Sequence, residues 1–340
     1  MNVQDPTAES RKSDHIELAF QSQVNAMDVD NRFYYEPILS AHPKGIQSLS
    51  FLGKTLSAPI WVSSMTGGTE MAKKINQNLA KACAEFGMGM GLGSCRALLD
   101  SNEHLEDFNV RGIIGDGLPL FANIGIAQLA HLVEQNKLHQ INDLLDKLSA
   151  DGIFIHVNPM QEWLQPEGDA IPERPLDTIK ILLDKLPNVN VAVKEVGQGM
   201  GKASLEALMK LPLQAIEFAA NGGTNFSKLE LLRNSKVAQE HYMLLSKIGH
   251  TAEDMVTMVN EIKANTAANQ ILCDHFIISG GIKNFLDGHY LTQKINATAV
   301  YGQASMLLKY AADSYEALHQ FLTLQIEGLA LAQAYLKIRK

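Results

Sequence analysis

Eight short apolar runs, most of them closing on glycine, punctuate this chain of 340 residues and leave few folds open to it. They read "APIWVSSMTGG" (58–68), "GMGMGLGS" (87–94), "LPLFANIG" (118–125), "GIFIHVN" (152–158), "NVAVKEVG" (190–197), "AIEFAANGG" (215–223), "HFIISGG" (275–281) and "ATAVYGQ" (297–303). Between most of them lie segments with helical spacing, among them "MAKKINQNLAKACAEF", "PLDTIKILLDKL" and "AEDMVTMVNEIKAN". Strand and helix alternating about eight times over roughly 250 residues is the pattern of a (β/α)8 TIM barrel, here preceded by an N-terminal arm. A doubly wound open sheet is the competing architecture. The count of eight, and the lack of a GxGxxG at the first strand-helix turn, favour the barrel. The second run is the weakest strand, because its glycines disfavour β structure, although they would permit close approach of a flat ligand. The chain accordingly divides into an arm over residues 1–50 and a barrel over 51–340.

Composition excludes several classes of function. With 46% hydrophobic and 19% charged residues the chain can bury a sizeable core. No apolar run approaches the roughly 18 residues that span a bilayer, and the opening "MNVQDPTAESRKSDHIELAF" is polar where a secretory signal needs an apolar stretch. No membrane partner is expected, and a cytoplasmic location is. A net charge of −8 argues against a general nucleic-acid binder while leaving room for a local anion site. Cys83, Cys95 and Cys273 are scattered without a CxxC pair and are expected to be reduced.

In a barrel of this kind ligands meet the C-terminal ends of the strands. Polar residues and glycines collect there: Ser64, Met65, Thr66 and Gly67 after the first strand, Ser94 and Arg96 after the second, Asn123 on the third, His156 and Asn158 on the fourth. Lys194 and Glu195 end the fifth, Thr224 follows the sixth, Gly280 and Gly281 the seventh, Gln303 and Ala304 the eighth. The loops after the last two strands are the usual phosphate cradle of the architecture, so a phosphate-bearing cofactor or substrate is expected. Lys194 lies between apolar neighbours and should face the barrel mouth, as a Schiff-base amine or a fixed positive charge beside a cofactor. A structural pairing with Glu217 is the competing assignment.

"RKSDHI" (11–16), "SSMTGGT" (63–69), "LGSCRA" (92–97), "NIGIAQL" (123–129), "HVNPMQEWLQPEGD" (156–169), "KEVGQG" (194–199), "GGTNFSKLE" (222–230) and "SGGI" (279–282) together resemble the type 2 isopentenyl-diphosphate isomerases. These are FMN-dependent barrel enzymes that interconvert isopentenyl and dimethylallyl diphosphate, and the likeness runs in order from about residue 11 to residue 308. It implies that Met65, Thr66, Gly67, Ser94, Asn123, Lys194 and Thr224 surround FMN, with Gly280, Gly281, Ile282, Lys283, Gln303 and Ala304 around its phosphate. It further implies that Arg11, Lys12, His15, Ser94, Cys95, Arg96, His156, Asn158 and Gln161 meet the substrate, and that Glu162 is a Mg²⁺ ligand. Residues 1–50 would then contribute to the substrate site.

The implied chemistry places a proton on one carbon of an unactivated alkene and removes another two carbons away. Family resemblance assigns that acid-base work to reduced FMN, with NADPH as reductant, Lys194 offsetting negative charge, and Gln161 and His156 assisting. A diphosphate is a polyanion, so Arg11, Lys12 and Arg96, with a protonatable His15 or His156, would offset its charge. A hard Mg²⁺ shared with phosphate oxygens needs a single carboxylate, here Glu162. Members of the family are commonly homotetramers or larger.

Three stretches depart from the family pattern. Ala219 and Ala220 replace a small hydroxyl and a glycine before the second Gly-Gly-Thr, Tyr290 stands where a lysine follows the aspartate, and strand eight ends in "YGQAS". The stretch 231–250 is expected either to pack over the rim or to form an amphipathic core helix. Two other functions compete: an FMN barrel oxidoreductase, against which "RKSDHI" counts, and a non-catalytic flavin or prenyl-phosphate binder, which would have no use for Gln161 and Glu162 together.

Overall fold

A computed structural model describes residues 8–64 and 70–339. Eight parallel strands close into a barrel in chain order: β1 (Ile60–Val62), β2 (Gly89–Gly91), β3 (Leu120–Gly125), β4 (Gly152–His156), β5 (Val191–Lys194), β6 (Ala215–Glu217), β7 (His275–Ser279) and β8 (Thr298–Gln303). The β6–β7 and β8–β1 pairings complete the ring. Every run singled out in the sequence holds one strand. Strands β3 and β5 are buried along their whole length, which explains why they read as continuous apolar stretches rather than alternating ones.

The glycines of β2 have a packing reason. A Cβ on Gly89 would lie 2.2 Å from the Trp61 ring, and one on Gly91 2.8 Å from Ser64 Oγ. Trp61 is fully buried and sits edge-on to Phe51, Phe121 and Phe154, with ring centroids 6.0–6.1 Å away. The space that the sequence suggested for a flat ligand is, at Gly89, filled by indole. Phe51 belongs to a hairpin of two short strands, Leu49–Phe51 and Lys54–Leu56, and also packs on His275 at the start of β7. That hairpin plugs the N-terminal mouth of the barrel, so the boundary placed at residue 51 falls inside a structural unit.

The arm has two parts. Its helix Ala8–Leu18 is exposed throughout the residues whose side chains are described. Farther on, Phe33–Tyr35 pairs antiparallel with Leu336–Ile338, and Arg32 bonds Asp287 at 2.9 Å while lying 5.3 Å above the Tyr290 ring. Tyr290 itself is buried and donates to Glu253 at 2.7 Å, so the aromatic replacement serves the arm's anchor. The stretch 231–250 does not form a core helix. It lies within the helices Phe226–Arg233 and Lys236–Tyr242 and a 3-10 turn at Leu245–Lys247, with Val237, Leu244 and Ile248 exposed. Among the described residues, no helix is long and apolar enough to cross a membrane.

Candidate active site

The register of the barrel aligns Gly125, His156, Lys194 and Glu217 across β3 to β6, all at C-terminal strand ends. Two clefts open above them. One, of about 190 Å³, is lined by Ser63, Ser64, Lys194, the glycines 222, 223, 280 and 281, Thr224, Ile282, Lys283, Gln303 and Ala304. The other, of about 130 Å³, is lined by Ser64, Ser94, Asn123, His156, Gln161, Lys194 and Phe226. Ser64, Lys194 and Phe226 belong to both, so the clefts meet at the lysine.

The first cleft is made by close backbone approach. A Cβ on Gly280, which has φ +89°, would lie 2.1 Å from Ala220 O and 2.3 Å from Ala220 N. One on Gly222, with φ +114°, would lie 2.9 Å from Gly281 Cα. The loops after β6 and β7 therefore interlock through glycines, and Ala220 N donates to Ser279 O at 2.9 Å to hold them together. Ala219 takes the left-handed φ of +44°, its N–H donating to Ser279 Oγ at 3.0 Å, and that hydroxyl donates to Glu217 Oε1 at 2.9 Å. This network runs through Ala219 and Ala220, one of the stretches that depart from the pattern the sequence resembles.

Polar atoms beneath the mouth fit a ligand with many hydrogen-bonding groups. Ser63 Oγ, Ser64 Oγ and Gln303 Oε1 are buried with no partner among the described residues, a rare condition for buried polar groups. Lys194 is buried yet, among the described residues, forms no ion pair; Glu217, its neighbour across the ladder, bonds Ser279 instead. The structural pairing of Lys194 with Glu217 is thus not made, and the ammonium faces both clefts. Glu195, next in sequence, accepts from the N–H groups of Gly197, Gln198 and Gly199 at 2.7, 2.6 and 2.9 Å and so fixes the turn after β5. Burial pushes its carboxyl above the ordinary range against the pull of those amides.

In the second cleft, His156 Nδ1 lies 2.7 Å from Asn123 Oδ1, which places the proton on Nδ1 and leaves Nε2 as an acceptor. Burial, with Lys194 nearby, pulls the imidazole down to about 3, so His156 is neutral. The positive charge expected of it is supplied at this end of the site by Lys194. Asn158 Nδ2 donates to Gln161 Oε1 at 3.2 Å and to Glu162 Oε1 at 2.9 Å, and Asp169 N donates to Glu162 Oε2 at 2.9 Å. Helix Pro159–Leu164 carries Gln161 and Glu162 directly off β4, with Pro159 at its first position where a missing N–H costs nothing. Among the described residues, no group of three or more His, Cys, Asp or Glu is arranged to hold a metal. A lone Glu162 fits a hard ion whose other ligands are phosphate oxygens and water.

No family model matches the chain. The isopentenyl-diphosphate delta-isomerase of Rickettsia akari (strain Hartford) is 35% identical to it over 328 residues, covering 95% of this chain and 92% of the relative. That of Rickettsia typhi (strain ATCC VR-144 / Wilmington) is 35% identical over 316 residues, covering 91% and 87%. The chain belongs to the type 2 isopentenyl-diphosphate delta-isomerase family. Solved structures share its fold at low identity. A mandelate oxidase variant with a monooxide FMN adduct superposes with TM-score 0.56 at 14% identity, covering 91% of this chain and 88% of that one. A flavocytochrome b2 variant with sulfite bound gives 0.60 at 11%, covering 89% and 72%.

Of the residues that the family resemblance singles out, the barrel brings most to one rim. Ser94, Asn123, His156, Gln161 and Lys194 line the second cleft, and Lys194, Thr224, Gly280, Gly281, Ile282, Lys283, Gln303 and Ala304 the first. Met65, Thr66 and Gly67 lie outside the described residues. Arg11, Lys12 and His15 sit on the exposed arm helix and line neither cleft. Cys95 departs from its expected role: its side chain is fully buried, Sγ contacts Gly93 O at 3.3 Å, and its N–H is taken by Asn123 O at 2.7 Å. Burial pushes that thiol up to about 12. Arg96 bonds Asp169 at 2.8 Å rather than standing alone.

Two participants escaped the sequence reading. Glu230 is buried with Oε1 3.5 Å from Gln161 Nε2, and Asp169 bridges Arg96 and Glu162. Both end motifs quoted from the sequence, "GGTNFSKLE" and "PEGD", but spacing alone gives no reason to prefer them over other acids in those loops.

Proposed function

We propose that this protein interconverts isopentenyl and dimethylallyl diphosphate on the rim of its barrel, using reduced FMN, Mg²⁺ and, as the source of reducing equivalents, NADPH. The observation that carries the reading is the meeting of two chemically distinct clefts at one buried lysine that has no ion-pair partner among the described residues. The glycine-built cleft, with its buried partnerless oxygens, suits a phosphate-bearing flavin, and the cleft of His156, Gln161 and Ser94 suits a small chain with a charged tail.

When bound, reduced FMN supplies an acid-base group able to act on an alkene, which no side chain of this rim can do unaided. Lys194 contributes a fixed positive charge where the two clefts join, and burial strengthens its effect on any negative charge held there. Gln161 is oriented at both ends, its Oε1 accepting from Asn158 and its Nε2 facing Glu230. An amide is a poor acid, so Gln161 positions substrate. Neutral His156 offers Nε2 as an acceptor. Glu162 is the carboxylate for Mg²⁺, and Arg96 with the arm's Arg11 and Lys12 supplies cations for the diphosphate.

Exchange of FMN for 5-deaza-FMN tests the reading. Flavin and isopentenyl diphosphate should both still bind while formation of dimethylallyl diphosphate stops; retained turnover would remove the flavin from the chemistry. An FMN-loaded protein inert toward isopentenyl diphosphate with Mg²⁺ and NADPH would leave only a binding function.

A further inference from the structure

We propose that Asp169 is a positioning residue that holds Arg96, two residues along from the cleft-lining Ser94, and ties it to the metal carboxylate Glu162. The inference rests on the diphosphate reading above and adds to it a residue to which that reading gives no role.

Three bonds converge on this aspartate from three strand ends. Its Oδ2 accepts from Arg96 Nη1 at 2.8 Å, in the loop after β2, and from Gln128 Nε2 at 3.1 Å, in the helix after β3. Its own N–H donates to Glu162 Oε2 at 2.9 Å, in the helix after β4. Gln128 is in turn fixed, because its Oε1 accepts from Gly125 N at 3.1 Å at the tip of β3. The carboxylate is therefore braced by the barrel itself, and Arg96 is not. The arginine side chain is 59% exposed, against 23% for Asp169, and among the described residues Nη1 is its sole nitrogen with a partner.

An exposed arginine loses much rotamer freedom when it is ordered, and a guanidinium has five N–H donors, so one bond to a braced carboxylate restrains it while sparing the rest. Asp169 can act on diphosphate binding in two opposite ways. As an anion it repels the diphosphate and competes for Arg96; as an anchor it removes the cost of ordering Arg96 when the diphosphate arrives. The bracing by Gln128 and the shared bond to Glu162 favour the anchor, since a mere competitor needs neither.

The test is calorimetric titration of the FMN-loaded protein with inorganic pyrophosphate and Mg²⁺, comparing the parent with Asp169→Asn, Arg96→Ala and the double variant. The flavin absorbance spectrum reports that each is folded. Asp169→Asn keeps an oxygen for both donors but loses the charge, and should weaken pyrophosphate binding by about five-fold, the upper range for an exposed ion pair. In the Arg96→Ala background the same change should have less than about a two-fold effect, because the two residues act together. In turnover, the loss should appear in KM for isopentenyl diphosphate with kcat nearly unchanged. Binding that tightens or stays the same in Asp169→Asn, while Arg96→Ala weakens it, overturns the inference alone. An Arg96→Ala variant that binds as tightly as the parent overturns the diphosphate contact itself, and the anchoring role with it.

Discussion

Gly280 and Gly281 are adjacent, both left-handed at φ +89° and +77°, and yet alanine should be tolerated very differently at the two. At Gly281 the nearest atom to a new Cβ is Asn221 O at 3.1 Å, so the change costs mainly the left-handed conformation, about 1–2 kcal/mol. At Gly280 the same conformational cost is joined by contacts of 2.1, 2.3 and 2.6 Å with Ala220 O, N and C. Those are backbone atoms and cannot rotate away. Relief requires the loop after β6 to withdraw, which breaks the Ala220 N to Ser279 O bond and separates Gly222 from Gly281. Overpacking of this kind costs about 1–3 kcal/mol and the lost hydrogen bond about 1 kcal/mol more. Gly280→Ala should thus be about 2–4 kcal/mol less stable than Gly281→Ala. At this chain length each kcal/mol moves the unfolding midpoint by about 1–2 °C, so differential scanning calorimetry should separate the two variants by roughly 3–6 °C. FMN retention on gel filtration should fall further in the first than in the second. Equal midpoints and equal flavin retention would refute the claim that the interlocked loops build the cradle.

Other outcomes follow from the same geometry. His156 is neutral when folded, with a pKa of about 3 against about 6.5 in an unfolded chain, so the unfolded state binds the extra proton between those values. Stability should therefore fall as pH drops from about 6.5 toward 3, and His156→Gln should flatten that limb in a pH series of thermal melts. Glu162→Gln should raise the Mg²⁺ concentration for half-maximal turnover by about ten-fold or more, and an unchanged requirement would move the ion elsewhere. Cys95→Ala should leave KM for isopentenyl diphosphate unchanged and cost about 1–2 kcal/mol in urea unfolding, because the thiol is packed rather than presented.

The fold was legible because a parallel barrel buries both faces of its strands, and burial writes itself into sequence as apolar runs closed by turn residues. Even the doubtful second strand was where the runs put it. One of its glycines differs from expectation for a reason spacing cannot supply: Gly89 makes room for Trp61, which joins the barrel interior from another strand. The rim was legible for the same cause, since strand ends fix which residues face the mouth, and Lys194 between apolar neighbours faces it as expected. Cys95 shows the limit. It sits between Ser94 and Arg96, both exposed, and only the direction of its side chain sends it into the core.

Sequence alone determined the barrel, the family and the rim, because each depends on local pattern: alternation of strand and helix, and short motifs at strand ends. Tertiary structure decided which charges are spent within the protein and which remain for a ligand. Arg96 is held by Asp169 from 73 positions away, His156 is neutralised by its burial beside Lys194, and Glu217 is bonded by Ser279 rather than by the lysine. Such pairings form between strands distant in sequence, where the energy of a charge depends on what surrounds it in space and leaves no trace in the order of residues.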